Sequence, residues 1–300
     1  MNFLSEPSII ILKRQVEKRK RMWNIMTEST RFTYSLSDAS TAETTNNLIP
    51  FINYQTPAPR RCLDMLLAKY HHQNFQSEVL MPSPEEQFIP SLKHPLSQTT
   101  LLVVTDGGLV PSMNPDRIPS TSADSFGIYS IEGKQSLSSD NFEVSHQGYD
   151  NSYVEEDPNR LIPLDALREL ETEGVIQNIY PYFLSTTGVM MPQKKCEQLA
   201  TRIASYVSTH SIGAVLIISV CGTSTRSGSI IGTAIEKAGI PVVQITNLTQ
   251  IAQNYGITRV VKGQNICYPC GNPQLSKDME FTYRKQLVEH ALCLLKVNCF

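Results

Sequence analysis

The chain has no excess of charge of either sign: 26 Lys and Arg face 28 Asp and Glu, for a formal net charge of -2. That excludes the overall basic field that draws a protein to nucleic acid, and leaves small molecules and other proteins as the expected partners. Long hydrophobic runs are missing as well. Near the N-terminus the apolar patch covers only residues 9–12, too short for a signal-peptide core or a membrane span, so no membrane role is expected. No glycine-rich loop runs into Lys-Ser/Thr and no GxGxxG follows a strand, so nucleotide binding has no motif behind it. The seven cysteines are odd in number and scattered, which excludes a secreted disulfide framework and points to a reducing cytoplasm. There the sequon Asn247-Leu248-Thr249 meets no glycosylation machinery. Cys267-Tyr268-Pro269-Cys270 has zinc spacing, but no second pair completes a ligand set, and no metal is expected.

What is present falls into two parts. Residues 1–96 read as an N-terminal extension and linker, partly disordered: a charge-dense helix at 13–21, a polar Ser/Thr-rich stretch at 27–46, a short helix at 60–72 and a proline-punctuated loop at 82–95. A solvated face is the plain reading of the basic helix. Residues 97–297 change character, with short apolar runs alternating with helical patterns. TTLLVVT at 99–105 runs into Asp106-Gly107-Gly108, a buried strand stopped by a turn. Helices are expected at 163–173, 193–210, 224–238 and 277–296, and further strands at 214–220 and 241–246. Near-continuous apolar strands alternating with helices predict an α/β fold with a doubly wound, mostly parallel sheet flanked by helices. Ligands of such sheets sit at the carboxyl ends of the strands, which puts Asp106, Cys221 and Asn247 on the expected edge.

Cys221 lies in SVCGTSTRSGS, between the strand AVLII and the helix after it. Gly222 permits a tight turn there, and Thr223, Ser224 or Thr225 can cap the helix. A helix N-terminus favours a thiolate, but the dipole contributes only about 0.3–1 kcal/mol, so a second cation is needed to ionise the thiol. Arg226 is the local candidate, for the thiolate or for a substrate carboxylate. The competing reading makes Cys221 a buried small residue and Arg226 a surface charge. His146, Tyr149 and Asp150 in SHQGYDNSY combine an imidazole, a phenol and a carboxylate around Gly148. Asp106-Gly107-Gly108 and Asn114-Pro115-Asp116-Arg117 serve either as turns or as substrate contacts, and Glu155, Glu156 and Asp157 beside Arg160 read as an acidic turn with one ion pair.

VTDGGLVPSMNPDRIPS, FEVSHQGYDNSYVEEDPNRLIPLDALRELETEGVI and ISVCGTSTRSGSIIGTAIEKAGIPVVQI together resemble the selenoprotein B subunits of glycine, sarcosine and betaine reductases, with D-proline reductase as a relative. The similarity runs from about Leu101 to about Leu295. It implies a cytoplasmic oxidoreductase subunit for reductive C–N cleavage of a small amine substrate. Cys221 then stands at the selenocysteine position as nucleophile, with His146 and Arg226 as catalytic partners and Asp106, Tyr149, Asp150, Thr223 and Ser224 contacting substrate. It further implies no cofactor in this chain, a pyruvoyl group on a partner subunit, and a small selenoprotein or thioredoxin-like thiol donor.

Sulfur at Cys221 departs from the family, as do Ser224 and Ser227, where the resemblance leads one to expect thiols. A serine cannot resolve a mixed chalcogenide, so internal disulfide turnover within this loop is not expected. Cys267 and Cys270 read chiefly as a coincidental pair, with a stand-in for the missing resolving thiol as the minor reading. Two alternatives stay open: a non-catalytic ligand-binding or regulatory relative, and a cysteine enzyme such as a racemase, which needs a second facing acid/base that Cys196 does not supply. The length lies between those of the long glycine-type and the short D-proline subunits, so the substrate class stays open too.

Overall fold

A computed structural model of the chain describes residues 52–76, 78 and 89–296. The expected helix at 13–21, the polar stretch at 27–46 and residues 82–88 of the proline-punctuated loop lie outside the described residues. The chain divides into two compact units, residues 1–78 and 79–300. In the first, helix α1 (Ala58–Tyr70) begins two residues before the expected position because Pro57 sets its N-cap and a further proline occupies its first turn. It buries none of its own residues. His72, at a φ of 54°, lies just beyond its end, and Arg61 pairs with Glu78 at 2.8 Å.

The second unit is the α/β domain. Its strands are β1 (Thr100–Thr105), β2 (Leu109–Pro111), β3 (Gly127–Ser130), β4 (Phe142–Val144), β5 (Asn178–Ser185), β6 (Ala214–Ile218), β7 (Val242–Thr246) and β8 (Val260–Lys262). Its helices are α2 (Ser152–Glu156), α3 (Leu164–Thr172), α4 (Gln193–Thr209), α5 (Gly222–Lys237), α6 (Thr249–Asn254) and α7 (Lys277–Lys296). Six strands form one sheet in the order β3-β5-β1-β6-β7-β8. All pairs are parallel except β3 with β5. Alternate residues of β1 feed opposite faces. Leu101 and Val103 enter the core under α3 and α7, while Leu102 and Val104 enter the core under α4 and α5. The five parallel strands follow the doubly wound order 2-1-3-4-5, with β1 first in the chain and the topological switch between β1 and β6. Cys221 and Asp106 follow those two strands.

The hairpin of β2 and β4 forms a second, two-stranded sheet. Gly108, at a φ of 74°, precedes it so closely to the Ser145 carbonyl that a Cβ would clash. Its N–H donates to the Thr186 carbonyl at 3.0 Å, and its carbonyl accepts from Ser145 N–H at 2.8 Å. These bonds fix the chain entering His146 against the carboxyl end of the main sheet.

Candidate active site

Cys221 is the N-cap of α5, in an extended conformation (φ -71°, ψ 177°). Its carbonyl accepts the first helical bond, from Thr225 N–H at 2.8 Å. The amides of the first turn therefore lie beyond the helical ladder on the Cys221 side. No side chain caps the helix, a correction to the expected capping by Thr223, Ser224 or Thr225. Each of those hydroxyls has another partner. Thr223 Oγ1 accepts from Met190 N–H at 3.1 Å and lies 3.7 Å from Cys221 Sγ. Thr225 Oγ1 pairs with Thr246 Oγ1 at 2.8 Å.

Ser224 Oγ is the junction of the site, 3.3 Å from Cys221 Sγ and 2.7 Å from His146 Nε2. The tautomer of His146 follows from its other nitrogen. Gly148 N–H donates to Nδ1 at 3.0 Å, so the ring proton sits on Nε2 and is donated to Ser224 Oγ. When Cys221 is a thiol its S–H donates to Ser224; when it is a thiolate, the Ser224 O–H donates to sulfur. Burial pushes the His146 imidazole down to about 3, which keeps the ring neutral at physiological pH. Gly148 is required at the crossing, because a Cβ there would stand 2.9 Å from Cys221 Sγ and 2.8 Å from His146 Cε1.

The remaining predicted residues separate into those that frame this line and those that do not reach it. The Tyr149 ring lies 4.8 Å from that of His146, and its hydroxyl donates to the Gly107 carbonyl at 3.0 Å. Burial raises its phenol well above the usual range. The Asp150 carboxylate accepts from Ser152 N–H and Oγ–H, at 3.1 and 2.8 Å, and is exposed. It steadies the turn into α2 rather than His146. Asp106 is 1% exposed and holds Ser219 Oγ–H and Val220 N–H beneath the loop. Burial raises its carboxyl well above the ordinary range. It braces the exit of β6 from inside and presents no open face.

Arg226 points elsewhere as well. It donates to the Met191 carbonyl, on the α4 side, beside Cys196, whose thiol burial pushes up to about 11. Among the described residues no hydrogen bond joins Arg226 to Cys221. The structure thus places neutral donors, not the expected guanidinium, at the thiol.

The loop after β5 is a part of the site with no counterpart in the sequence analysis. Gly188 packs so tightly on Ser224 Cα that a Cβ would come within 2.9 Å, Val189 borders Gly148, and Met190 binds Thr223. Cys270 is fully buried, with its N–H donating to the Arg160 carbonyl at 2.8 Å, and burial pushes its thiol up to about 12. Cys267 is half-buried, and burial pushes its thiol up. Among the described residues no group of three or more His, Cys, Asp or Glu is placed to hold a metal ion, and no helix is long and apolar enough to cross a membrane. Cavities of about 560 and 300 Å³ open around Lys93 and His94, the second reaching Thr100 and Gly213 at the amino ends of β1 and β6, away from Cys221.

Comparison with known proteins supplies the family. Residues 21–220 match the Glycine/sarcosine/betaine reductase selenoprotein B family, a match that stops one residue before Cys221. A Glycine reductase complex component B subunit gamma of Carboxydothermus hydrogenoformans is 41% identical over 234 residues, 78% of this chain and 54% of the relative. A Betaine reductase complex component B subunit beta of Peptoclostridium acidaminophilum is 37% identical over 242 residues, 81% of this chain and 55% of the relative. The D-proline reductase subunit gamma of Acetoanaerobium sticklandii is 34% identical over 221 residues, 71% of this chain and 88% of the relative. The chain spans about half the length of the glycine and betaine reductase relatives. No solved structure matches. The chain belongs to the glycine/sarcosine/betaine reductase selenoprotein B family.

Proposed function

We propose that this member of the selenoprotein B family is a cytoplasmic subunit of a reductase complex that cleaves the C–N bond of glycine, sarcosine, betaine or D-proline, with Cys221 as the nucleophile. The observation that carries this reading is the line Cys221–Ser224–His146 at the switch point of the sheet, where the thiol meets a hydroxyl at 3.3 Å and the hydroxyl an imidazole at 2.7 Å. The Cys221 thiolate attacks the carbon bearing the nitrogen; a C–S bond forms, the C–N bond breaks, and the bond pair leaves with nitrogen, as a neutral amine from glycine, sarcosine or betaine that takes up any further proton from solvent, and as a tethered amine from the opened ring of D-proline. His146, neutral and with Nδ1 occupied, acts as a donor that holds Ser224 and does not itself protonate the amine. The first-turn amides of α5 donate to the substrate carboxylate beside the sulfur. No pyruvoyl group is assigned to this chain: a partner subunit supplies it where an amine needs a carbonyl for activation, and an external thiol carrier returns the electrons.

Alkylation by iodoacetamide, mapped to Cys221 by mass spectrometry with and without each of the four compounds, tests this directly. Protection of Cys221 by one of them supports the reading and names the substrate class. Cys221→Ala is expected to abolish substrate-dependent C–N cleavage in the presence of the partner subunits, a loss of more than about a thousandfold. Full activity of Cys221→Ala would remove Cys221 as the nucleophile, whereas equal alkylation with and without all four, together with no C–N cleavage by the wild-type chain, would mean that the family fold persists here as a binding module.

A further inference from the structure

Arg226 has no part in that mechanism, yet the structure ties it to a wall of the thiol site. The loop between β5 and α4 carries that wall, pressed so closely on α5 that a Cβ on Gly188 would come within 2.9 Å of Ser224 Cα and 3.0 Å of Ser227 Cβ. Each residue from Gly188 to Met191 is held through its backbone. Ser227 Oγ–H donates to the Gly188 carbonyl at 3.1 Å, Thr223 Oγ1 accepts from Met190 N–H at 3.1 Å, and Arg226 donates to the Met191 carbonyl. These three side chains, spaced i, i+3 and i+4, share one face of α5. From the other side Ser122 N–H donates to the Val189 carbonyl at 2.8 Å, and Lys195 Nζ donates to the Ser122 carbonyl at 2.6 Å. Within this grip Met190 takes a φ of 55° and is 70% exposed. A side chain in that left-handed region persists only where the surrounding bonds hold it. Val189 is the residue that the grip presents to the sulfur. The point where a Cβ on Gly148 would stand lies 2.8 Å from Val189 Cγ2, 2.8 Å from His146 Cε1 and 2.9 Å from Cys221 Sγ. Carbon atoms pack at about 3.5–4.0 Å, so methyl, imidazole and sulfur close on a space too small for one added carbon. Ser224 Oγ at 3.3 Å and Thr223 Oγ1 at 3.7 Å crowd the sulfur further, and Cys221 is only 9% exposed.

We propose that Val189 is the specificity-determining wall of the Cys221 site, and that Arg226, acting through the Met191 carbonyl, is the positioning residue that keeps it there. This rests on Cys221 being the nucleophile. A sulfur hemmed in by a valine methyl and an imidazole edge reaches a methylene carbon more easily than a carbon that bears a further carbon substituent. The substrate class that fits is an acetate with its nitrogen on the methylene carbon, as in glycine, sarcosine and betaine. In D-proline the attacked carbon carries a ring carbon as well, and that carbon meets the wall. Arg226 thus serves the thiol without touching it. Its contact with the loop decides which carbons reach the sulfur, and its charge is not what ionises the thiol.

The test uses the full chain and two reagents with the same leaving group, bromoacetamide and 2-bromopropionamide, which differ by one methyl on the attacked carbon. Rates at Cys221 are mapped by mass spectrometry, and the exposed Cys62 and Cys293 report the preference of a thiol without a wall. Relative to these controls Cys221 is expected to favour bromoacetamide by a further factor of about ten or more, the scale on which a site discriminates one methylene. Val189→Ala and Arg226→Met should each bring the ratio to within about threefold of the controls. Arg226→Lys, which returns a donor to the Met191 carbonyl, should recover most of the selectivity. A wild-type ratio equal to that of Cys62 and Cys293 overturns the proposal whether or not any variant folds. Selectivity retained in Val189→Ala removes the wall, and selectivity retained in a folded Arg226→Met removes the positioning role. Protection of Cys221 by D-proline in preference to glycine, sarcosine and betaine would overturn the inference while leaving Cys221 as the nucleophile. Full C–N cleavage by Cys221→Ala would instead sink the reading on which the inference rests.

Discussion

The cluster around Arg160 and Arg284 and the line from Cys221 to His146 are both buried and both polar, but the first holds full charges of each sign and the second is built from neutral groups. In the cluster every charge is answered. Arg160 grips Glu280 with two bonds, at 2.8 and 3.0 Å, and reaches Glu156 at 2.5 Å. Arg284 binds Asp157 at 2.6 Å, binds Asp165, and donates to the Cys270 carbonyl at 3.0 Å. The result ties α7 to α3 and to the turn at Pro158–Arg160. In the line, a ring held neutral by burial passes one hydrogen bond to a hydroxyl, which faces a sulfur. Compensated charge makes a clamp, whereas a chain of neutral donors leaves its last acceptor free to take up charge. HQGYD and DPNR lie close together in the sequence, each with one carboxylate, and only their partners from elsewhere in the chain separate a brace from a site.

Breaking the clamp should have the larger effect on stability. Arg284→Met leaves Asp157 and Asp165 without their main cation in a buried setting, and a loss of about 3–5 kcal/mol is expected, read as a fall in chemical-denaturation midpoint. Cys221 alkylation under native conditions should change little. A variant with an unaltered midpoint would show that the ionic cluster does not hold α7. Cutting the line should do the reverse. Ser224→Ala removes the hydroxyl that, among the described residues, bridges sulfur and imidazole, a charge-assisted bond worth about 1.5–3 kcal/mol once the sulfur is ionised. Cys221 alkylation at neutral pH should slow by about tenfold or more, with the denaturation midpoint shifted far less than in Arg284→Met. An unchanged alkylation rate would remove Ser224 from the mechanism.

The difference between these regions also explains what could be read from the chain. The strand β6, the Cys221 turn and α3, with Pro163 at its start and Gly174 at a φ of 72° beyond its end, carry local signals and lie where their patterns put them. β5 lacks such a signal although it is an interior strand. Tyr180-Pro181-Tyr182 interrupts its apolar run, and the register against β1 slips there, Leu101 facing Ile179 but Val103 facing Phe183. A bulge of this kind is how a proline enters a sheet. Missing β5 means missing the Gly188–Met190 loop that follows it. Arg226 illustrates the limit of local geometry. Five residues after the N-cap, at 3.6 residues per turn, it stands about 140° around the helix from Cys221, while Ser224 returns to within about 60°. His146 lies 78 residues from Ser224, and nothing in sequence announces that contact.

The smallest expected effect, and the one that most sharply separates a neutral line from an ionic cluster, is in acid. A histidine held down to about 3 in the fold takes up its proton near 6.5 in the unfolded chain. Between those values the unfolded state binds more protons, so the His146 contribution is fully present above about 6.5 and is lost progressively as pH falls toward 3. His146→Gln keeps an acceptor for the Gly148 amide and a donor for Ser224 but has nothing to titrate. Its stability should therefore fall less steeply than that of the wild type between pH 6.5 and 4, whatever the offset between the two at neutral pH. Denaturation midpoints measured across that interval decide the matter. Parallel curves would mean that His146 is protonated as easily in the fold as outside it, and a charged imidazole would then have to replace the neutral donor next to Ser224.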